Sequence, residues 1–187
     1  MKPTYHVVTS HLPSGPHAPL IVLHDGSPES NDALEFAANL RPGAQALVVT
    51  LWKPIPDEAL SPAARPPASD PGDTEDAPRR AATQIAAEGA RRASAAGLDA
   101  KPLAVEARGP MWEAVQEVAA ERDALLVVCG TNRSGLRSAL PGNLANALVT
   151  HLSTPVLVVP SMKAAAERRR ETEERHHARR PLAARRG

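Results

Sequence analysis

Short apolar runs alternate along this chain with stretches in which apolar residues recur at helical spacing. The runs are four to seven residues long and continuous, which is typical of strands buried on both faces of a parallel sheet. They lie at 20–24, 46–52, 103–107, 124–129 and 156–159. Because a helical pattern separates each pair of runs, the sequence predicts an α/β fold with one doubly wound, five-stranded parallel sheet and helices on both faces.

Capping residues indicate where the predicted helices begin and end. Ser27 is a favoured N-cap and Pro28 suits the first helical position, so a helix is expected directly after the first strand. A second, alanine-rich helix is predicted over 79–96 and ends at Gly97. A third helix follows Gly109, and a short fourth helix precedes the last strand.

Composition divides the chain into a central domain and two extensions. We expect an irregular, proline-containing extension at 1–18 and the α/β domain at 19–160. Within that domain, prolines recur over 54–78 and large apolar residues are few, which predicts a mobile loop. Residues 161–187 carry nine basic and four acidic residues, whereas 1–160 carry 13 basic and 17 acidic residues. The protein is therefore a mildly acidic domain with a basic tail.

Two interpretations of the tail stay open. Glutamate and arginine recur three and four residues apart, which supports a helix. The near absence of an apolar face indicates a flexible, solvated extension instead. Its positive charge would allow docking on nucleic acid, on an acidic partner or on the phosphate ligand of the chain itself.

The sequence lacks the residues that several classes of function require. Four aromatic residues are too few for a nucleic-acid surface built by stacking. Cys129 is the single cysteine and ends an apolar run, so we expect an inert buried thiol and no disulfide. No lysine follows the glycines as in a P-loop, and no general base for hydrolysis is evident. No run is long enough for a membrane span and no signal peptide is evident, so we expect a cytoplasmic protein.

The candidate chemistry lies at the tips of the first and fourth predicted strands. If the strand order is 3-2-1-4-5, Asp25 and Gly130 meet at the crevice where doubly wound sheets bind ligands. The loop that begins at Gly130 is rich in glycine, contains Arg133 and Arg137, and leads into a helix, as in a phosphate cradle. The alternatives are that Asp25 only holds a turn and that the loop is only a connection.

Two long segments resemble the universal stress protein A domain family. They are LIVLHDGSPESNDALEFAANL and ARGPMWEAVQEVAAERDALLVVCGTNRSGLRSALPGNLANALVTHLSTPVLVVP. The resemblance covers roughly residues 19–160 and is specific, because several separated motifs occur in the right order. It implies the five-stranded fold described above.

The resemblance also implies an assembly and a ligand. Members usually form a homodimer through the last strand, here Pro155, Val156, Leu157, Val158 and Val159. Many members bind ATP, with Mg²⁺ as a possible companion, through a motif of glycine, two residues, glycine, nine residues, glycine and then serine or threonine. Other members lack this motif and do not bind ATP.

This chain departs from the ATP motif at two places. The second glycine is missing, so eleven residues rather than twelve separate Gly130 from Gly142, and Asn143 replaces the serine or threonine. Carried over by position, Asp25 would contact ribose or adenine, and Leu51 would border adenine. The nucleotide-binding residues that the resemblance implies are Asp25, Gly26, Leu51, Gly130, Thr131, Asn132, Arg133, Gly135, Gly142 and Asn143.

The sequence therefore supports three functional hypotheses. The first is an adenine-nucleotide-binding regulatory dimer of the stress response, in which the ligand orders the loop and the dimer surface. The second is a family member that binds no nucleotide and acts as a protein-interaction module. The third is a slow nucleotide hydrolase.

Overall fold

The computed structural model describes residues 18–54, 71–131 and 144–179. Strands and helices alternate through them as the apolar pattern predicts. In chain order they are β1 (Leu20–Leu23), α1 (Pro28–Leu40), β2 (Gln45–Trp52), α2 (Pro71–Ala95), β3 (Asp99–Glu106), α3 (Met111–Glu121), β4 (Leu126–Gly130), α4 (Leu144–His151), β5 (Val156–Val159) and α5 (Met162–Arg179).

All five strands form one parallel sheet in the order β3-β2-β1-β4-β5, which confirms the predicted order. β1 lies at the centre, where Ile21 is opposite Leu47 of β2 and Val127 of β4. The chain leaves β1 toward one side of the sheet and β4 toward the other. The carboxyl ends of β1 and β4 therefore border the crevice at the switch point.

Helices cover both faces of the sheet because successive residues of β1 point to opposite faces. Leu20 and Val22 pack with the buried residues of α1 and α2, including Leu34. Ile21 packs on the other face with Val115 of α3 and Leu148 of α4. The predicted two-sided covering of the sheet is confirmed.

The start of α1 follows from local chemistry. Ser27 is the N-cap, and its hydroxyl oxygen accepts a hydrogen bond from the Ser30 N–H at 3.1 Å. Pro28 occupies the first helical position, as predicted. The cap fixes the direction in which α1 leaves the end of β1.

α2 lies close to the sheet because Gly89 has no side chain. A Cβ atom at this position would lie 2.7 Å from His24 Nδ1 and 2.8 Å from Val48 Cγ1. Both atoms belong to side chains buried under the helix. A larger residue at this position would push α2 away from β1 and β2.

α2 begins earlier than the sequence suggests. Its first residue is Pro71, so the part of the predicted loop 54–78 that lies at 71–78 is helical, and the predicted helix start at 79 is wrong. Proline suits a first helical position, so Pro71 can begin the helix. Pro78 removes one internal hydrogen bond without ending the helix.

β3 also begins earlier, at Asp99 rather than at residue 103. It pairs with β2 over its whole length and is an outer strand of the sheet. Asp99, Lys101 and Pro102 are exposed there, and an outer strand tolerates both charge and proline because one side of it faces solvent. The apolar run therefore marked only the half-buried part of the strand, 103–106.

The tail forms helix α5 from Met162 to Arg179. Of the two interpretations that the sequence left open, the structure shows the helix. The Met162 N–H donates a hydrogen bond to Asp32 Oδ2 of α1 at 2.8 Å. The side chains over 166–175 are exposed. Among the helices described, none has the length and apolar character needed to cross a membrane.

Candidate functional site

A pocket lies at the carboxyl ends of β1, β2 and β4, where the sequence places the switch-point crevice. It encloses about 570 Å³ of empty space, counted together with its open mouth. We call it the switch-point pocket, and the residues that line it are Leu23, His24, Asp25, Ser27, Glu29, Ser30, Val49, Leu51, Cys129, Gly130, Leu144 and Ala145. The polar lining residues belong to the end of β1, the turn after it and the first turn of α1, whereas β2 and α4 contribute apolar residues.

Asp25 holds the turn between β1 and α1 and also lines the pocket. Its Oδ1 accepts a hydrogen bond from the Ser27 N–H at 3.0 Å, which makes an Asx turn. Gly26 lies inside this turn with φ +81°, a conformation that glycine adopts without steric cost. Gly26 is exposed and is not among the lining residues. The turn presents the Asp25 carboxylate to the pocket, while Gly26 supplies the bend.

The environment of Asp25 favours its charged form. Partial burial is the largest influence and opposes ionisation, but hydrogen bonds from Ser27, with smaller contributions from Ser30 and His24, together outweigh it. The pKa of Asp25 therefore lies below the ordinary aspartate value. At neutral pH the pocket contains a carboxylate that accepts hydrogen bonds.

Leu51 lies near the end of β2, on the strand that pairs with β1. It is half-buried and lines the pocket together with Val49. The strand carrying it is held to β1 at this point, because the Thr50 hydroxyl donates to the His24 carbonyl oxygen at 2.8 Å and the His24 N–H donates to the Val49 carbonyl oxygen at 2.9 Å. A flat apolar group of a ligand can therefore lie against Val49 and Leu51, because hydrogen bonds hold their strand to β1.

Gly130 ends β4 in close contact with the first turn of α1. A Cβ atom at Gly130 would lie 2.6 Å from the backbone oxygen of Glu29 and 2.8 Å from its carbonyl carbon. Backbone atoms cannot rotate away as the end of a side chain does, so glycine is required here for steric reasons. The loop predicted to bind phosphate thus begins beside Glu29.

Thr131 directly follows β4. Its N–H donates to the Val159 carbonyl oxygen at 3.0 Å, which extends the pairing of β4 with β5. Its hydroxyl oxygen is buried and has no hydrogen-bond partner within the part of the chain that the structure describes. The Thr131 amide is thus hydrogen-bonded within the sheet, and Thr131 is not among the lining residues of the pocket.

The remaining predicted site residues lie outside the described residues. They are Asn132, Arg133, Gly135, Gly142 and Asn143. The structure thus brings Asp25, Leu51 and Gly130 together around one pocket and leaves Gly26 and Thr131 beside it.

Cys129 is the inert buried thiol that the sequence predicts. It is buried at the end of β4, and desolvation raises its pKa to about 11. The thiol is therefore protonated at neutral pH and contributes a weakly polar surface to the pocket.

Sequence reasoning missed two polar residues of the pocket lining, His24 and Glu29. His24 is 3 % exposed, and its Nε2 lies 3.1 Å from Asn31 Oδ1, an arrangement in which Nε2 carries the proton. Its Nδ1 has no hydrogen-bond partner among the described residues. Glu29 is 6 % exposed. The helical period could have revealed Glu29, because it lies four residues before Ala33 on the buried face of α1.

No cluster of three or more histidine, cysteine, aspartate or glutamate side chains suited to a metal ion occurs within residues 18–54, 71–131 and 144–179.

One oxygen of the Asp25 carboxylate accepts the hydrogen bond that closes the turn between β1 and α1. Because each carboxylate oxygen has two acceptor sites, Asp25 can also accept a hydrogen bond from a hydroxyl group of a ligand. The geometry thus suits a ligand with an apolar ring and a hydroxyl-bearing part.

Three solved structures illustrate the likeness of this fold to known proteins. A universal stress protein in complex with cAMP is 25% identical, with a TM-score of 0.54 over 77% of this chain and 97% of that one. A universal stress protein family member from Burkholderia pseudomallei is also 25% identical, with a TM-score of 0.54 over 77% and 96%. A universal stress protein from Archaeoglobus fulgidus in complex with dAMP, 19% identical with a TM-score of 0.53 over 75% and 96%, shows the fold alone.

The sequence itself matches a protein family across most of its length. A comparison with curated proteins finds no match. The model of the universal stress protein family, by contrast, matches residues 18–160, which include every strand and every residue of the switch-point pocket. The chain belongs to the universal stress protein family.

Proposed function

We propose that this protein is a cytoplasmic, homodimeric regulator of the stress response that binds an adenine nucleotide in the switch-point pocket. The observation that carries the proposal is that apolar Leu51 and the charged Asp25 line the same pocket at the ends of neighbouring strands. A purine base needs an apolar surface and its ribose needs a hydrogen-bond acceptor. This pocket offers both within one cavity.

The place of the pocket supports the same proposal. The pocket lies at the carboxyl ends of parallel strands, where doubly wound sheets bind nucleotides. The 25% identical universal stress protein binds cAMP, which is an adenine nucleotide. ATP, with Mg²⁺, remains a candidate ligand alongside the monophosphates.

The experiment is isothermal titration calorimetry of the full chain with AMP, cAMP and ATP, the last with and without Mg²⁺. We expect saturable binding of at least one of them, and about tenfold weaker binding by Asp25→Asn, because a hydrogen bond to a charged acceptor contributes about 1.5 kcal/mol or more. Asp99→Asn is the matched control, since it makes the same change at an exposed residue of β3.

The pH dependence of nucleotide affinity tests the role of the Asp25 carboxylate independently. The charged carboxylate is the better acceptor, so affinity should be constant near neutral pH. Because the pKa of Asp25 is lowered, affinity should weaken only as the pH falls below the ordinary aspartate range of about 4. Asp25→Asn should remove this weakening. Absence of saturable heat with every nucleotide at millimolar concentration would instead favour the protein-interaction alternative.

The dimer is proposed to form through β5 and the residue before it, Pro155 to Val159. β5 is an outer strand that pairs with β4 on one side, and an apolar outer strand is a surface that proteins tend to cover. Sedimentation equilibrium of the full chain should give about twice the 19.7 kDa chain mass. A single species of chain mass at micromolar concentration would contradict the dimer.

A further inference from the structure

The sequence contains two segments in which a pair of arginines is followed by one further residue and then by a serine or threonine. They are residues 91–94 of α2, which end at Ser94, and residues 169–172 of α5, which end at Thr172. Both hydroxyl-bearing side chains are exposed. Protein kinases select substrates by the charges around the acceptor hydroxyl, and arginine-directed kinases take a hydroxyl that follows such a pair. The surroundings of the two hydroxyl groups differ.

Ser94 lies where a phosphate would be poorly accommodated. The arginines before it already pair with a carboxylate, because Arg91 and Arg92 both contact Glu88. Ser94 also belongs to the last turn of α2, where the helix dipole disfavours negative charge. Its neighbour Ala93 is 0 % exposed, so unwinding this turn would disrupt the core.

Thr172 is surrounded by arginines that have no such partner. Side chains three and four residues apart are neighbours on a helix surface. Arg168 and Arg169 lie four and three residues before Thr172, and Arg175 lies three residues after it. All three are exposed, and none forms an ion pair with another residue of the part of the chain that the structure describes. Their guanidinium groups are therefore available to an anion at position 172.

α5 can also unwind without disturbing the domain. Its side chains over 166–175 are exposed, and the hydrogen bond from Met162 to Asp32 is the one described hydrogen bond between α5 and another element. Segments with few buried contacts open at low cost in free energy. A kinase can thus reach Thr172, whose hydroxyl otherwise donates to the Arg168 carbonyl oxygen at 2.8 Å.

We propose that Thr172 is a phosphorylation site for an arginine-directed protein kinase, and that Arg168, Arg169 and Arg175 then bind the phosphate. In the transfer, the Thr172 hydroxyl oxygen forms a bond to the γ-phosphorus of ATP, and the bond from that phosphorus to the β,γ-bridging oxygen breaks. ADP leaves, and the hydroxyl proton passes to a carboxylate of the kinase. The proposal involves no residue of the switch-point pocket, so it is independent of the proposed function.

Phosphorylation should change both the order and the charge of the tail. Charge-assisted hydrogen bonds from arginines one turn away would link successive turns of α5 and stabilise the helix. Residues 161–187 carry nine basic and four acidic side chains. About two added negative charges would lower their net charge from +5 to about +3, which weakens attraction to polyanions.

The test is incubation of the full chain with ATP and the catalytic subunit of cAMP-dependent protein kinase, which is arginine-directed. A reaction without kinase is the blank, and a standard arginine-containing peptide shows that the kinase is active. We expect one phosphate per chain by intact-mass spectrometry, located on Thr172 by peptide fragmentation. No incorporation, or phosphate on Ser94 as fast as on Thr172, would overturn the proposal.

Paired variants separate the two segments. Thr172→Val should abolish incorporation, whereas Ser94→Ala, the matched control with the same arginine pair, should leave it unchanged. Arg169→Gln should lower the initial rate about tenfold or more, because a charged hydrogen bond to the kinase is lost. Arg91→Gln should have no effect on the rate. Equal losses in Arg169→Gln and Arg91→Gln would contradict recognition of the α5 segment.

Circular dichroism tests whether the arginines bind the phosphate. The phosphorylated chain should show a stronger far-UV helix signal than the unmodified chain. Arg175→Gln should reduce this gain and leave the rate of phosphorylation within about twofold, since Arg175 follows the acceptor. Lys163→Gln, which removes a charge from the same helix nine residues away, should keep the full gain. An unchanged or weaker helix signal after phosphorylation would overturn the binding of the phosphate by these arginines.

Discussion

α1 and α5 are helices of similar length that join the rest of the protein in opposite ways. α1 buries six of its 13 residues, including Leu34 and Ala37, against the sheet. α5 exposes its side chains over 166–175. Its one described hydrogen bond to another element joins Met162 to Asp32 of α1.

The difference shows where each helix obtains its stability. α1 depends on tertiary packing and on the Ser27 cap, so it is stable only when the sheet is folded. α5 depends on contacts within its own turns, such as the hydrogen bond that Arg175 Nε donates to the Glu171 carbonyl oxygen at 3.3 Å. Substitutions in α1 should therefore alter the fold and the pocket, whereas changes in α5 should alter neither.

The largest effect should come from the buried face of α1. Leu34→Ala should lower the free energy of unfolding by about 3 kcal/mol, because it removes a side chain that is 1 % exposed and leaves a cavity in a packed core. Urea denaturation measures the change. Leu40→Ala is the matched control on the same helix, since Leu40 is 49 % exposed, and it should change stability by less than about 0.5 kcal/mol. Equal losses would show that α1 is not held by its buried face.

The next effect should come from the contact between α1 and β4. Gly130→Ala should cost about 2 kcal/mol of unfolding free energy, because the new Cβ would overlap the Glu29 backbone at 2.6 Å. It should also weaken binding of any ligand in the switch-point pocket, since α1 must shift. Urea denaturation and calorimetry with AMP measure the two effects.

Gly109→Ala is a matched control for Gly130→Ala. A Cβ atom there would also lie 2.6 Å from a neighbour, but that neighbour is the Glu113 carboxylate oxygen, at the end of a flexible side chain. The carboxylate can rotate away, so the loss should stay below about 0.5 kcal/mol. If both variants lose the same stability, backbone contact is not the reason for glycine at position 130.

These contacts also show how far the sequence predicts the molecule. The continuous apolar runs predict all five strands, because strands buried on both faces require such runs. Asp25 was predictable as well, since it directly follows a strand. The burial of His24 beneath Gly89 was not, because it depends on the approach of a helix 65 residues away along the chain, and no local pattern encodes that distance. The early start of α2 was hidden by its prolines, because proline is typical of loops, whereas Pro71 occupies the first helical position and Pro78 does not end the helix.

The smallest effect should come from removing α5. A chain that ends at Ser161 loses the exposed helix and the single hydrogen bond to Asp32, so the free energy of unfolding should change by less than about 0.5 kcal/mol. Far-UV circular dichroism should show a loss of helix signal corresponding to the 18 residues of α5, because the other helices keep their packing. Affinity for AMP should be unchanged, since α5 supplies none of the described lining of the switch-point pocket. A loss of more than about 1 kcal/mol, or a change in affinity, would show that α5 packs on the domain and is not held by its own residues alone.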